Sequence, residues 1–434
     1  NQVLITIGVI LNATLMYTPP LLFAALGSCF SEKSGVVNIG LEGMIVIGAF
    51  TGAAVGHFVD APWLAFLCAG LAGGLLALLH AFATVTCQAD QTISGTAINF
   101  LASGLSVYIC FLLFRTMRYV SNFRNGQWDD GCLTDQATIT MSECACVLQY
   151  AQTCFEGLKA YTTEDGRIVC FRPDLNAQRM ANSCRRLKMP VFPEERFVQA
   201  VVETVRANSQ WVPPYGSGAT LYVRPFMFGS DAIIGVKPAT EYQFRVFVTP
   251  VGPYFKGGIK PLKLRISDLD RAAPKGTGDV KAGLNYAMSL YNIVDAHEKG
   301  FDENVYVDSA TRTHIEETGG ANVIFVTKDG KLVTPKSDTI LPSITRRSLL
   351  QVAKDYLGME VEERPVALAE IGEFAECGLC GTAAVISPVG TIVDHGKEIH
   401  YVGMGPTIQK LYDTLTGIQM GRLEAPEGWI QVIE

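Results

Sequence analysis

Charge is nearly missing from the first quarter of this chain. Residues 1–118 hold only seven of its 35 basic and 42 acidic side chains, namely Glu32, Lys33, Glu42, Asp60, Asp90, Arg115 and Arg118. That scarcity excludes an ordinary water-facing surface there, because soluble domains carry about a quarter of their residues charged. Lysine- and arginine-rich runs are missing throughout and the net charge is −7, so nucleic acid is not an expected partner. The six histidines, at 57, 80, 297, 314, 395 and 400, lack metal-ligand spacing, and no metal is expected. Gly-x-Ser-x-Gly elbows, phosphate-binding Walker loops and dinucleotide fingerprints are absent, which excludes the chemistries those turns position. The twelve cysteines are scattered rather than framed as in a small secreted domain, so a reducing compartment fits. Cys377-Gly-Leu-Cys380 has the spacing of a redox or metal pair but lacks a second pair, and two ordinary buried thiols are the preferred reading.

What fills the first quarter is apolar. Four stretches, Val3–Leu26, Leu41–Val59, Pro62–Val85 and Ile98–Phe114, come near the ~20 residues needed to cross a hydrocarbon core. Four such lengths in succession exceed what a signal peptide holds. Small residues such as Gly70, Gly73 and Gly74 recur inside them and suit close helix packing in lipid. Pro19 and Pro20 are expected to interrupt the first helix, since proline lacks a backbone donor. Arg115 and Arg118 follow the last span and put that end in the cytoplasm, with the whole chain anchored at a bilayer.

From about Tyr119 the pattern changes to that of an α/β protein in water. Ala219–Phe228, Glu241–Val251 and Asn322–Thr327 read as strands. Asp174–Leu187, Pro193–Ala207 and Arg346–Leu357 read as amphipathic helices, the last starting after Pro342-Ser343. Lys328-Asp-Gly-Lys331 reads as a hairpin turn. The glycine- and proline-rich stretch 252–258 is the expected linker, giving a membrane segment 1–117, a small domain 118–251 and a large domain 259–434.

Two resemblances attach to these parts. Ser31-Glu-Lys-Ser-Gly-Val-Val-Asn-Ile-Gly-Leu-Glu-Gly43 and Gln91-Thr-Ile-Ser-Gly-Thr-Ala-Ile-Asn99 resemble segments of ABC-transporter permeases for nucleosides and simple sugars, which have more spans than this chain. The second covers residues 118–434. Tyr150, Phe155-Glu-Gly-Leu-Lys-Ala-Tyr161, Tyr222-Val-Arg-Pro225, Lys281-Ala-Gly-Leu-Asn-Tyr286, Glu317, Asn322, Leu341-Pro-Ser-Ile-Thr345, Gly381-Thr-Ala-Ala384 and Glu424-Ala-Pro-Glu-Gly-Trp429 stand in the order of the branched-chain amino acid aminotransferases. These are fold type IV pyridoxal phosphate enzymes with two α/β domains, usually homodimers.

The resemblance implies a transaminase acting on leucine, isoleucine and valine with 2-oxoglutarate, giving branched 2-oxo acids and glutamate. Such chemistry needs a lysine amine that condenses with the cofactor's aldehyde and shuttles a proton, a role that falls to Lys281. A carboxylate must keep the pyridine nitrogen protonated. Glu317 matches it, with adjacent Glu316 as the rival; the default role of Glu316 is a solvated turn, and alternation puts the two on opposite faces if the segment is extended. Arg179, the N–H groups of Ile344 and Thr345, and Thr382 match the phosphate contacts, and Tyr286 the partner of the phenolic oxygen. Tyr150, Phe155 and Tyr222 match pocket walls, and Arg224 the arginine for a distal carboxylate. Thr382 and Ala383 match the turn that holds the α-carboxylate, and Tyr254 would close over the pocket. Leu284 stands where a second glycine is usual and would narrow the site. A D-amino acid aminotransferase shares the fold and lysine, and an incomplete permease component is the alternative from the first segment.

Overall fold

A computed structural model describes residues 2–59, 61–252 and 260–433. The chain divides into two compact units, residues 1–115 and 116–434.

The first unit is all helical, with helices Gln2–Lys33, Leu41–Phe58, Pro62–Ala81 and Gln91–Leu113. Leu41–Phe58, Pro62–Thr86 and Gln91–Cys110 are long and apolar enough to cross a membrane. The first helix continues unbroken through Pro19 and Pro20, contrary to the expected break. Two missing N–H groups remove only their own bonds, and apolar turns on both sides carry the helix on. The last helix starts seven residues before Ile98, because Asp90 caps it by accepting from the N–H groups of Thr92 and Ile93, each at 2.9 Å.

Glycine decides how these helices meet. A Cβ on Gly43 would stand 2.8 Å from the Ile98 carbonyl oxygen, and one on Gly95 would stand 2.9 Å from the Gly40 nitrogen. The two permease-like segments are also bonded to each other. The Gly43 N–H donates to Asn99 Oδ1 at 2.7 Å, and the Val37 N–H to Gln91 Oε1 at 2.7 Å.

The second unit contains two sheets. The first runs Ile430–Val432, Ile168–Phe171, Leu158–Thr162, Thr220–Gly229, Tyr242–Val251, Arg118–Arg124, Gln127–Trp128. Helices Pro173–Arg186 and Glu194–Arg206 cover it around Phe192, Phe197 and Phe244. Its outermost strand comes from the C-terminus, so a division of the chain at 252–258 does not separate the sheets cleanly. Most of that expected linker, Tyr254 included, lies outside the described residues.

In the second sheet, strands Asn322–Val326, Glu376–Gly381, Val385–Asp394, Leu262–Ile266, Glu303–Val307 and His314–Thr318 pair in sequence, and the last returns to the first through Glu317↔Asn322. The sheet therefore closes into a six-stranded barrel. Alternation explains its burial on both sides. Val323, Phe325 and Cys377 join one core cluster, whereas Ile324, Val326 and Cys380 join another with helices Ile344–Asp355 and Pro406–Gln419. Cys377 and Cys380 thus occupy separate cores as buried free thiols. The expected hairpin is present, with Val326 pairing Leu332 across the turn.

Candidate active site

One cavity of the second unit gathers side chains from Phe155 to Ala383. Lys281 sits just before the helix Gly283–Glu298. Its backbone is fixed on both sides: its N–H donates to Ser183 Oγ at 3.1 Å, and its carbonyl accepts from the Phe155 N–H at 3.1 Å. The side chain reaches into the cavity, where Nζ donates to the Tyr286 hydroxyl at 2.8 Å and lies 5.0 Å from the Phe155 ring centroid. Burial lowers the amine to about 8, helped by the Arg179 charge. An amine near 8 is partly neutral at physiological pH, as a nucleophile must be. Burial also pushes the Tyr286 phenol up to about 12.

Glu317 stands at the barrel's closing pair. Oε2 accepts from Asn322 Nδ2 at 2.6 Å, and Oε1 accepts from the Leu341 N–H at 2.8 Å and pairs with Arg271 Nη2 at 2.6 Å. Burial raises its carboxyl to about 7 against the pull of Arg271. Glu316 does face the other way, but it is no solvated turn residue. It is buried, and its Oε1 accepts from the hydroxyls of Ser337 and Thr339. The strand around it is covered on both faces.

The substrate-side residues follow from strand register. Tyr222 and Arg224 project from the same face of Thr220–Gly229, with Lys159 cross-strand from Tyr222. Arg224 Nη2 donates to the Tyr222 hydroxyl at 2.8 Å, and its guanidinium stacks 4.7 Å from the Phe155 centroid. A Cβ at Gly157 would collide with that hydroxyl, so any larger residue there would have to displace the Tyr222 ring. Thr382 and Ala383 line the same cavity.

Arg179 lines the same cavity but is anchored from behind. Nε and Nη2 form a fork on Glu156 at 2.8 and 2.7 Å, and Nη1 donates to the Pro342 carbonyl at 3.0 Å. Ile344 and Thr345 line a smaller adjoining cavity that shares Thr382 with the first. They form the first turn of the helix Ile344–Asp355, which begins two residues earlier than expected because Ser343 caps it. A first turn offers N–H groups that have no partner within the helix.

Not every expected residue is here. Tyr150 ends the short helix Cys146–Tyr150, is 41% exposed and does not line the cavity. Tyr254 lies outside the described residues, and Leu284 is not among the lining side chains. Conversely, three charged residues of this neighbourhood were not singled out from sequence. Glu156 holds Arg179, Arg271 holds Glu317, and Lys159 donates to the Ala383 carbonyl at 2.6 Å. Glu156 and Lys159 lie inside the quoted Phe155–Tyr161 string, and the signal available was charge within an otherwise largely apolar string. Arg271 had none, because its partner is chosen by barrel closure.

The residues fit a pyridoxal phosphate cofactor. A lysine amine, a buried carboxylate and an arginine beside a helix N-terminus share one cavity region. Arg224 Nε and Asn322 Oδ1, both buried, have no partner within the protein and are free for a ligand. Among the described residues no group of three or more His, Cys, Asp or Glu side chains could hold a metal.

Comparison with known proteins agrees with this geometry. Residues 153–392 match the family described as amino-transferase class IV, and residues 10–126 match one described as branched-chain amino acid transport system/permease component. A branched-chain-amino-acid aminotransferase of Haemophilus influenzae is 51% identical over 325 residues, covering 73% of this chain and 95% of that protein. One from Helicobacter pylori is 48% identical over 315 residues, covering 72% and 93%. Among solved structures, the branched-chain amino acid aminotransferase of Escherichia coli aligns at a TM-score of 0.59 and 27% identity, covering 74% of this chain and 100% of that one.

Proposed function

This chain belongs to the class IV aminotransferases, and on that premise we propose that it exchanges the amino group of leucine, isoleucine or valine with 2-oxoglutarate. The observation that carries the reading is Lys281, its amine 2.8 Å from the Tyr286 hydroxyl in a cavity it shares with Glu317. Class IV aminotransferases of this kind use pyridoxal phosphate, which supplies an aldehyde for the amine and a ring that takes up electrons. Lys281 would hold it and then carry a proton to and from the substrate's Cα. Glu317 would face the ring nitrogen, and Tyr286 the phenolic oxygen. Arg179, Thr382 and the first-turn N–H groups of Ile344 and Thr345 would receive the phosphate.

The remaining walls sort the substrate. Phe155 and Tyr222 offer apolar surface to a branched side chain. Arg224 would meet the distal carboxylate of glutamate, and the Thr382-Ala383 turn the α-carboxylate. Tyr150 remains part of this reading as a side chain that approaches the substrate from outside the cavity, and Tyr254 keeps its proposed role of closing over the pocket. The helix after Lys281 presents Met288, Leu290, Tyr291 and Val294 to solvent, an apolar face that suits a homodimer.

The first unit calls for a separate reading. Its match to a permease family and its outward apolar side chains support a bilayer as its environment, with the aminotransferase unit, from about residue 118, on the cytoplasmic side.

The test is the absorption spectrum of the chain loaded with pyridoxal phosphate. Leucine is expected to shift the cofactor band to its amine form and 2-oxoglutarate to restore it, with both changes lost in Lys281→Ala. A folded preparation that retains no cofactor would end this reading.

A further inference from the structure

Glu317 has two hydrogen-bond donors, Asn322 Nδ2 and the Leu341 N–H, an ion pair with Arg271 Nη2 at 2.6 Å, and no acceptor among these neighbours. A neutral carboxyl would carry a hydrogen with nowhere to go, whereas a carboxylate accepts from both donors and pairs with the guanidinium. Both donors are uncharged amides, so among these neighbours the compensating charge comes from Arg271 alone. Arg346 adds a more distant positive charge and Glu316 a negative one. Tyr286, Arg179 and Cys380 are the other titratable or charged groups that sense Glu317.

Arg271 is itself built in. It is buried, and the same Nη2 also donates to the Gly278 carbonyl at 2.9 Å and to the Thr339 carbonyl. Its Nε has no partner, so its bonds converge on the nitrogen that meets Glu317. The loop leading to Lys281 is wrapped against it: a Cβ on Gly278 would stand 2.8 Å from Nη2. One guanidinium therefore joins the carboxylate, the approach to the lysine, and Thr339, whose hydroxyl bonds Glu316.

We propose that Arg271 is a positioning residue that holds Glu317 as a carboxylate aimed at the cofactor's ring nitrogen. It lines the same cavity, and its part is assigned through Glu317 rather than through the substrate or the reacting atoms. Glu317 then keeps free acceptor capacity for the ring N–H, and burial of the charge is offset locally. This inference rests on the assignment of Glu317 under the proposed function.

The experiment compares Arg271→Gln, Glu317→Gln, the double variant and Arg271→Lys in the full chain. Two quantities are read: kcat with leucine and 2-oxoglutarate, and the Kd for pyridoxal phosphate from fluorescence quenching of the apoprotein. Each single Gln variant is expected to lose about 100-fold in kcat, and the double variant to be no slower and to bind no more weakly than Glu317→Gln alone. Arg271→Lys, which keeps the charge, should recover part of both and covers the case in which Arg271→Gln does not fold. Single losses that multiply in the double variant would overturn the proposal, leaving Arg271 as a loop brace. So would an Arg271→Lys chain that holds cofactor yet recovers no kcat. If Glu317→Gln alone changes neither quantity, the assignment of Glu317 fails and this inference falls with it, while loss in Lys281→Ala would still stand.

Discussion

The two units use the same apolar side chains in opposite ways. In the first, Trp63, Phe23, Phe66 and Phe100 are 81, 72, 69 and 76% exposed, and the helices meet through Gly43, Gly48, Gly73 and Gly95. In the second, Phe244, Phe325 and Leu349 are fully buried. Water rewards the second arrangement by excluding apolar surface, while lipid gives no such reward and leaves close packing to hold helices together. Composition alone therefore marks a solvent boundary, and the change near residue 118 falls close to the start of the second unit at residue 116. The permease match reaches residue 126 and so runs into strand Arg118–Arg124, which pairs inside the aminotransferase sheet.

The largest expected effect isolates the chemistry in one unit. Lys281→Ala should lower leucine:2-oxoglutarate turnover by about 10⁴-fold while leaving the full chain's partition between membrane and supernatant unchanged. A sizeable residual rate would put the amine elsewhere.

A second pair of substitutions compares the cores. Phe244 stacks on Phe192 at 4.0 Å with no exposure, so Phe244→Ala should cost about 3–5 kcal/mol. Phe66→Ala, on an outward face, should cost less than about 0.5 kcal/mol in detergent. Denaturant titration of both would break the comparison if the two losses were alike. Gly43→Val comes next. Its added side chain meets the Ile98 carbonyl and should destabilise the helical unit by about 1–3 kcal/mol, read as a lower melting temperature of that unit with kcat unaltered.

The smallest effect concerns pH. Glu317 has its folded-state value raised to about 7 from an ordinary 4.5, so between those pH values the native apoprotein binds more protons than the unfolded chain. Stability from this group is present below about 4.5 and is lost as pH rises through 7. Glu317→Gln should flatten that part of the melting-temperature profile, and an unchanged slope would assign the effect to other groups.

Much of the site was legible because motif chemistry survives in short strings. Lys281, Tyr286, Glu317, Phe155, Tyr222, Arg224, Arg179, Thr382 and Ala383 all line one cavity although more than two hundred residues separate the first from the last. What stayed hidden was pairing across elements. Arg271 meets Glu317 only because strand His314–Thr318 closes the barrel on Asn322–Val326, and no local pattern announces that register. Tyr150 shows the converse: its string placed it at a pocket wall, yet its short helix leaves it in solvent. In the first unit composition gave the helices but misjudged their ends. A single Asp90 cap outweighed polar Gln91 and Thr92, and proline proved compatible with a continuous helix.

The most direct test of a lipid-facing unit joined to a complete enzyme is fractionation with activity. Leucine:2-oxoglutarate transaminase activity would be measured in the membrane pellet and the supernatant for the full chain and for a chain starting at Thr116. The account predicts that the full chain's activity pellets and is released only by detergent, while the shorter chain is soluble and equally active. A soluble full chain, or a shorter chain that folds without activity, would contradict it.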